Sequence, residues 1–350
     1  MYTKLLEVKT SASILKLILT SKKLKERRYK IMLKINKYAS SLFLSVFVLF
    51  GTTVGSTSAM ADGEKFVLVS HAPDSDSWWN TIKNAIGIAG DQLGVTVDYR
   101  NPTTGDLADM ARIVEQAAAS NPDGIIVTIA DYDVLKGPIT SAIAKGIPVV
   151  TINSGTREQS EMLGALAHIG QPEYDAGFGA GKRAKAAGVT KFLCVNHFFT
   201  NPVSVDRCQG YADALGVDLG NQMIDSGQDP TEIKNKVMAH LRSNPDTDAI
   251  LTLGPTSAHP TLSALDDMGR SGDIYFGTFD LSGEIAAAVK SGVISFAIDQ
   301  QPYLQGYLPV VFLTNLSRYG VWPSGAINSG PGFITKSNIS LVEKYAGVYR

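Results

Sequence analysis

Residues 124–152 read GIIVTIADYDVLKGPITSAIAKGIPVVTI. Gly124–Thr128 and Pro148–Ile152 are short, continuous apolar runs, and Val134–Lys145 between them has the length and spacing of an amphipathic helix. Apolar runs of this kind indicate strands that are buried on both faces, as in a parallel sheet. The stretch therefore predicts one strand–helix–strand unit with a right-handed crossover.

The same alternation extends in both directions from this unit. Seven more apolar runs have strand character: Phe66–Ser70, Val95–Tyr99, Leu163–Ile169, Lys191–Asn196, Asp248–Leu253, Ile274–Phe279 and Val293–Ile298. Helix-length segments stand beside them: Trp78–Leu93, Asp106–Ser120, Tyr174–Ala187, Val203–Leu215, Pro230–Ser243, Ser257–Met268, Ser282–Lys290 and Tyr303–Tyr319. Regular alternation of strands and helices predicts an α/β fold with doubly wound parallel sheets.

A short internal similarity suggests two lobes. Asn121-Pro122-Asp123 and Asn244-Pro245-Asp246 both follow a predicted helix and precede a buried strand. Asn-Pro-Asp is also a common helix-stop and turn signal, so coincidence is an alternative explanation. Two similar α/β lobes would each present the carboxyl ends of their strands, where ligands bind in open sheets, to a common cleft.

The N-terminal region, residues 1–61, has the organisation of an export leader. Lysines precede the apolar segment Tyr38–Val54, and Ala59-Met60-Ala61 matches the pattern that a signal peptidase recognises. A complete signal peptide begins at Met32, which predicts that the true start is Met32 and that cleavage follows Ala61. A retained membrane anchor is the alternative, but the apolar segment is short and interrupted by Ser and Thr. The sequence therefore predicts an exported, periplasmic protein.

Removing the leader changes the charge of the chain. All 350 residues together carry a net charge of −1, whereas the 289 residues after Ala61 have 21 basic and 31 acidic side chains, a net charge of −10. Nucleic acids and anionic membrane surfaces need a basic binding surface, so neither is expected as a partner. A chain of this length can form two cores of ordinary domain size.

The chain has two cysteines, Cys194 and Cys208, separated by 14 positions. Cys194 lies in an apolar strand pattern and Cys208 lies at the start of the following helix pattern, so the two side chains can face each other. In an oxidising compartment this predicts a disulfide. Two buried, reduced thiols that behave as small apolar residues are the alternative.

Motifs for catalysis or for binding a cofactor are not found. Gly177–Lys182 resembles a phosphate-binding loop, but Arg183 replaces the required Ser or Thr and the stretch lies within a helix pattern. Small residues there are better explained by close helix packing. The five histidines have no metal-type spacing, and no Gly-x-Ser-x-Gly motif is present. We therefore expect no metal and no cofactor.

Polar and aromatic residues directly follow the predicted strands: His71–Trp79, His197–Asn201, Arg207, Gly254–Ser257, Asp280 and Asp299–Pro302. Aromatic rings stack on the apolar faces of a sugar, and charged or amide groups bind its hydroxyls. A single Asp or Asn in such a position is more simply explained as a helix N-cap. The agreement of all the strand ends indicates a site for a neutral polyhydroxylated ligand.

From residue 62 to about 345 the chain resembles the ribose- and galactose-type periplasmic binding proteins of ABC sugar importers (type I, in the superfamily of LacI). The similarity runs through the loop before the paired Trp residues and three further segments: Arg207-Cys208-Gln209-Gly210-Tyr211, Gly277-Thr278-Phe279-Asp280 and Gln300-Gln301-Pro302. The resemblance implies an N-terminal lobe of residues 62–167 and 301–324 and a C-terminal lobe of residues 168–300 and 325–350. Three hinge segments would join the lobes and let them close on a ligand.

The resemblance also implies a set of ligand contacts. Trp78 and Trp79 would stack on the ligand, and polar contacts would come from Asp76, Asn153, Arg207, Asp280 and Gln300. His197 and Thr256 stand at equivalent strand ends and complete the candidate set.

The implied function is capture of a small sugar or polyol and its delivery to an ABC transporter permease. A sensory protein that presents a sugar-like ligand to a chemoreceptor is an alternative on the same fold. An exported α/β hydrolase is a second alternative, although no nucleophile motif supports it. A transcriptional regulator of the same superfamily would need a helix-turn-helix where this chain has an export leader.

Overall fold

The computed structural model describes residues 63–323 and 326–350. The leader, with the predicted start at Met32 and the predicted cleavage after Ala61, lies outside these residues. Within the described ranges, no helix combines the length and the apolar character needed to cross a bilayer.

Strands and helices alternate through the described residues. The strands are β1 Lys65–Val69, β2 Thr96–Arg100, β3 Gly124–Val127, β4 Val149–Ile152, β5 His168–Gly170, β6 Phe192–Asn196, β7 Met223–Asp225, β8 Ala249–Thr252, β9 Tyr275–Phe279, β10 Phe296–Asp299, β11 Ile327–Asn328 and β12 Gly332–Ile334. The helices are α1 Asn80–Leu93, α2 Leu107–Ala119, α3 Tyr132–Ala144, α4 Arg157–Leu163, α5 Glu173–Ala186, α6 Pro202–Leu215, α7 Pro230–Ser243, α8 Pro255–Asp267, α9 Gly283–Ser291 and α10 Pro302–Tyr319.

The strands form two six-stranded sheets, which define two lobes. The N-lobe sheet has the order β11-β5-β4-β3-β1-β2 and is parallel throughout. The C-lobe sheet has the order β12-β10-β9-β8-β6-β7, and only its edge strand β12 is antiparallel. The predicted pair of doubly wound parallel-sheet lobes is therefore confirmed.

Helices cover both faces of each sheet, because the strands bury side chains on both sides. In β1, Phe66 and Leu68 pack in the cluster that includes residues of α1 and α10, whereas Val67 and Val69 pack in the cluster with α2 and α3. The C-lobe repeats the arrangement, with α5 and α6 on one face and α7, α8 and α9 on the other. The two Asn-Pro-Asp segments make different contacts: the backbone N–H of Lys65 donates to Asp123 (2.8 Å), whereas Asp246 accepts from the side chain of Lys191 (2.7 Å). The backbone N–H of Lys191 donates to Asp248, which lies two residues after the second segment (2.9 Å).

Two of the lobe boundaries in the structure differ from those expected from the sequence. His168–Gly170 pairs with β4, and Ile327–Asn328 pairs with β5, so both strands belong to the N-lobe. The crossings expected at 167/168 and at 324/325 were therefore placed a few residues too early, although residues 324 and 325 themselves lie outside the described ranges. The reason is that β5 and β11 have only three and two residues, too few for the sequence to show which sheet they join.

The predicted strand Leu163–Ile169 is also partly wrong. Its first residue ends helix α4, because Thr156 and Gln159 form a capping box that begins a helix at Arg157. Only His168–Gly170 is extended. The short strand β7 was not predicted.

Helices α5 and α6 pack at close range across the C-lobe. A Cβ on Gly177 would meet the backbone at Arg207, one on Gly181 would meet the backbone at Tyr211, and one on Gly210 would meet Tyr174. These glycines allow the two helix backbones to approach each other, which agrees with the packing role predicted for Gly177–Lys182. A disulfide between Cys194 on β6 and Cys208 on α6, with Cα atoms 5.9 Å apart, links the same helix to the sheet.

Candidate functional site

The structure brings all nine candidate residues to one cavity of about 70 Å³ between the lobes. They follow the carboxyl ends of the strands or begin the next helix: Asp76, Trp78, Trp79, Asn153, His197, Arg207, Thr256, Asp280 and Gln300. Ligands bind at this position in open α/β sheets because the carboxyl ends of parallel strands meet there.

The two Trp residues lie in a short 3₁₀ turn, Ser77–Trp79, directly before α1. Asp76 caps this turn by accepting a hydrogen bond from the backbone N–H of Trp78 (3.1 Å), so the capping explanation applies to this residue although it also lines the cavity. The indole rings lie edge to face, 5.2 Å apart, and Trp79 is only 2% exposed. Both indoles belong to the N-lobe core as well as to the cavity.

Arg207, on α6, uses its guanidinium for hydrogen bonds to other residues of the protein. Its Nε and Nη2 atoms donate to the carboxylate of Glu173 over 2.7 and 2.8 Å, and Nη1 donates to the carbonyl oxygen of Leu253 over 3.0 Å. The guanidinium also lies over the ring of Phe279. The guanidinium that was expected to bind ligand hydroxyls therefore already forms a two-point ion pair with Glu173. Glu173 was not among the residues predicted from the sequence.

A chain of amide and carboxyl groups lies along the cavity wall that faces the hinge. Asn153 Nδ2 donates to Gln300 Oε1 over 3.1 Å, and Gln300 Nε2 donates to Asp280 Oδ1 over 2.7 Å. Asn153 also donates to Gln305 of α10, which was not predicted. The chain connects the N-lobe, the hinge and the C-lobe through direct hydrogen bonds.

The backbone turns sharply at three of these strand ends. Asn153, Asp280 and Gln301 have φ values of 58°, 65° and 54°, in the left-handed region that non-glycine residues rarely adopt. Such conformations cluster at functional sites because the surrounding structure must hold them. Here they turn the side chains of Asn153 and Asp280 onto the hydrogen-bond chain.

Burial controls the charges in the cavity. It raises the pKa of the Asp280 carboxyl to about 7, although nearby Arg207 and the hydrogen bond from Gln300 act in the opposite direction. It lowers the pKa of His197 to about 4, and Arg207 adds to this effect. His197 is therefore a neutral imidazole at pH 7, and its Nδ1 lies 3.1 Å from Ser257 Oγ.

Two contacts across the cleft show that the lobes are closed on each other. The rings of His71 and Phe198 stack with centroids 5.4 Å apart, and Asn201 Nδ2 donates to Ser154 Oγ over 3.1 Å. All four residues line the cavity, and none was among the candidates. The sequence feature that could have identified these four residues is their position directly after β1, β4 and β6.

A larger cavity of about 370 Å³ lies on the other side of the Glu173–Arg207 pair, with Glu173 in its wall. Its lining carries further carboxylates from Glu158, Asp175 and Asp206. The smaller cavity is the candidate site despite its size, because the strand ends of both lobes converge on it. Within the described residues no group of three His, Cys, Asp or Glu side chains is placed to hold a metal ion.

Comparison with known proteins identifies the family. Residues 66–320 match the model of the periplasmic binding protein domain, and the chain belongs to this family. The match confirms the resemblance inferred from the sequence and places the chain among binding proteins of two α/β lobes.

Individual relatives agree with this assignment. A carbohydrate transporter from Acidothermus cellulolyticus, solved in complex with myo-inositol, is 32% identical, with a TM-score of 0.76 over 81% of this chain and 98% of that protein. The xylose/arabinose-binding protein XylF of Sulfolobus acidocaldarius is 27% identical over 73% of this chain and 68% of its own length. The ribose import binding protein RbsB of Bacillus subtilis is 26% identical over 61% of this chain and 68% of its own length.

Proposed function

We propose that this protein captures a small neutral sugar or polyol in the cavity between its lobes and delivers it to the membrane permease of an ABC importer. The observation that carries the proposal is the convergence of indole, imidazole, carboxyl and amide groups from the strand ends of both lobes on one cavity. A ligand that contacts both lobes stabilises the closed form, which a permease can distinguish from the open one.

The charges of the cavity favour a neutral ligand. Glu173 balances the positive charge of Arg207, and His197 is uncharged at pH 7. A sugar acid or sugar phosphate would bring a negative charge next to Asp280 and Asp76 without an unpaired cation to receive it among the described lining residues. The relatives named for xylose, arabinose and ribose, and the one solved with myo-inositol, fit the same ligand class.

Roles for individual residues follow from the side-chain atoms that can still form a hydrogen bond with a ligand. Asp280 uses Oδ1 for Gln300, which leaves Oδ2 to accept from a ligand hydroxyl. Among the described residues, Trp78 Nε1 has no hydrogen-bond partner, so it can donate to a ligand oxygen. Trp79, His197 and Thr256 complete the surface around the ligand.

Export completes the proposal: the leader would be removed after Ala61 and the mature protein would act in the periplasm. Members of the family are binding proteins rather than enzymes. A sensory role on the same fold has no specific observation in its favour, and the hydrolase alternative has none either.

The test is a thermal-shift screen of the mature protein, residues 62–350, followed by calorimetry. A ligand that binds only the folded state raises the melting temperature by mass action. We expect one or more of D-xylose, L-arabinose, D-ribose and myo-inositol to raise it, whereas D-glucuronate and ribose 5-phosphate should not. A shift with the anionic sugars alone would contradict the neutral-ligand proposal.

A further inference from the structure

Gln305 of α10 lies directly behind the cavity wall without lining the cavity. Its side chain is completely buried. Its Oε1 accepts from Asn153 Nδ2 over 3.1 Å, and its Nε2 donates to Gln300 Oε1 over 3.1 Å and to Ser329 Oγ over 2.9 Å. One amide therefore contacts residues from three separate segments at the hinge.

These bonds decide which way the Gln300 amide faces. Gln300 Oε1 receives N–H groups from both Asn153 and Gln305, and its Nε2 therefore faces Asp280. An amide can rotate to exchange its oxygen and nitrogen when its partners permit it. Without the donor of Gln305, only Asn153 and the Asp280 carboxylate would hold Gln300 in the observed orientation. When Asp280 is protonated, the Gln300 oxygen could then turn and accept its proton in a hydrogen bond.

We infer that Gln305 is a positioning residue: by orienting the amides of Gln300 and Asn153, it makes Asp280 present an ionised, accepting oxygen to the ligand. Gln305 itself touches no ligand in this arrangement. The part of the inference that concerns the ligand rests on the proposed function, whereas the part that concerns Asp280 does not.

The surroundings of Asp280 make its ionisation sensitive to this orientation. The charged groups that act on it are Arg207 from α6, Glu173 from α5 and Asp299 at the end of β10, and His197 lies nearby in the cavity wall. Burial brings the pKa of Asp280 to about 7, and donation from Gln300 works against that rise. A Gln300 oxygen facing the carboxyl would instead favour its protonated form and raise the pKa further.

The first experiment uses the ligand-free mature protein. The Asp280 carboxyl carbon is titrated by NMR in the wild type and in Gln305→Met, with Asp280→Asn used to assign the signal. We expect the midpoint to rise by about one pH unit in the variant, because a hydrogen bond to a charged group is lost. Thr314→Val is the control: it removes a buried hydroxyl on the same helix, which donates to the Val310 carbonyl, and should leave the midpoint unchanged.

If Gln305→Met fails to fold, Gln305→Asn serves as a second variant. Its side chain is too short to keep the hydrogen bonds with both Asn153 and Gln300. An Asp280 midpoint that is the same in the wild type and in every folded Gln305 variant overturns the inference.

The second experiment measures the affinity for whichever of D-xylose, D-ribose and myo-inositol binds the wild type most tightly, from pH 5 to pH 9. The Gln305 variant should lose about fivefold in affinity at pH 7 and much less at pH 9, where Asp280 is ionised in either case. A purely structural defect would lower the affinity equally at every pH and would contradict the inference. If the midpoint shift appears but no sugar binds the wild type, the role of Gln305 stands and the proposed ligand class fails.

Discussion

The guanidinium of Arg207 and the carboxylate of Glu173 form a two-point ion pair, Nε to Oε2 and Nη2 to Oε1, in which both side chains are more than nine-tenths buried. The pair joins the second turn of α6 to the first turn of α5, the two helices that pack through glycines. Removing one partner leaves an uncompensated charge inside the protein, which is costly.

We expect Arg207→Ala to lower the free energy of unfolding of the ligand-free protein by about 3–5 kcal/mol, as measured by urea denaturation. The double variant Arg207→Met with Glu173→Leu should recover most of that loss, because neither charge then remains. Arg157→Ala, which breaks the exposed pair with Glu161, is the matched control and should change little. Equal stability of Arg207→Ala and wild type would show that the pair is not structurally important.

Trp79 should be structural as well as ligand-binding. Because its indole is 2% exposed and packs in the N-lobe core, Trp79→Ala should lower the free energy of unfolding by about 3–5 kcal/mol even without ligand. Trp322→Ala removes an indole that is only half-buried, so it should cost clearly less in the same urea titration. A Trp79 variant with wild-type stability and weakened sugar binding would mean that this ring serves the ligand alone.

The disulfide links strand β6 to helix α6. Reduction, or the double variant Cys194→Ala with Cys208→Ala, should lower the free energy of unfolding by up to ~3 kcal/mol, because the bond closes a loop of this size in the unfolded chain. Alkylation of the native protein should label neither cysteine until a reductant is added. Rapid labelling of both without reductant would contradict the bond.

His168 should make the protein less stable in acid. Burial lowers its pKa to about 4, whereas an unfolded histidine titrates near 6.5, so between these values unfolding takes up a proton. Acidification through this window therefore lowers the free energy of unfolding, by up to about 1.4 kcal/mol per pH unit. The stability of wild type minus that of His168→Gln, measured by urea denaturation, should fall steadily from pH 6.5 to pH 4.5.

Subtracting the variant matters because Asp280 acts with the opposite sign. Its raised pKa means that the folded protein holds a proton that the unfolded chain releases between about pH 4 and pH 7, so that residue favours folding in acid. The difference curve cancels Asp280 and isolates His168. A difference that stays constant with pH would contradict the assignment of a neutral, buried His168.

Processing can be tested directly. Mass spectrometry of the protein recovered from the periplasm should find Asp62 at the N-terminus, and a gene that begins at Met32 should be exported normally. A mature protein that keeps residues before Tyr38 would show that the leader is not cleaved as proposed.

The sequence could place the nine candidate residues at one cavity because a single rule about strand ends covers most of them. Asp280 and Gln300 could be assigned to a common cleft from the sequence alone, since residues that follow parallel strands lie at the same edge of a sheet. Glu173 could not be found in this way. It follows Pro172 at the start of a helix, where an acidic residue is ordinary, and nothing local shows that Arg207 lies opposite.

The parts of the fold that were not predicted from the sequence were missed for a similar reason. Strands of two or three residues, such as Ile327–Asn328 and Gly332–Ile334, are too short for periodicity to appear in the sequence. Gln305 was missed because a buried glutamine inside a largely apolar helix differs in no visible way from a solvent-facing one. Its partners come from distant segments, and only the folded chain brings them together.

Each sheet is completed by a strand that the chain supplies only after residue 326: β11 lies beside β5 and β12 lies beside β10. A chain cut after Gly320, where the match to the family ends, would uncover the backbone N–H and C=O groups of β5 and β10 in the same molecule. Unpaired strands of this kind recruit strands from other chains. We therefore expect a chain cut after Gly320 to self-associate more readily than the full chain, whose edge strands β11 and β12 are only two and three residues long.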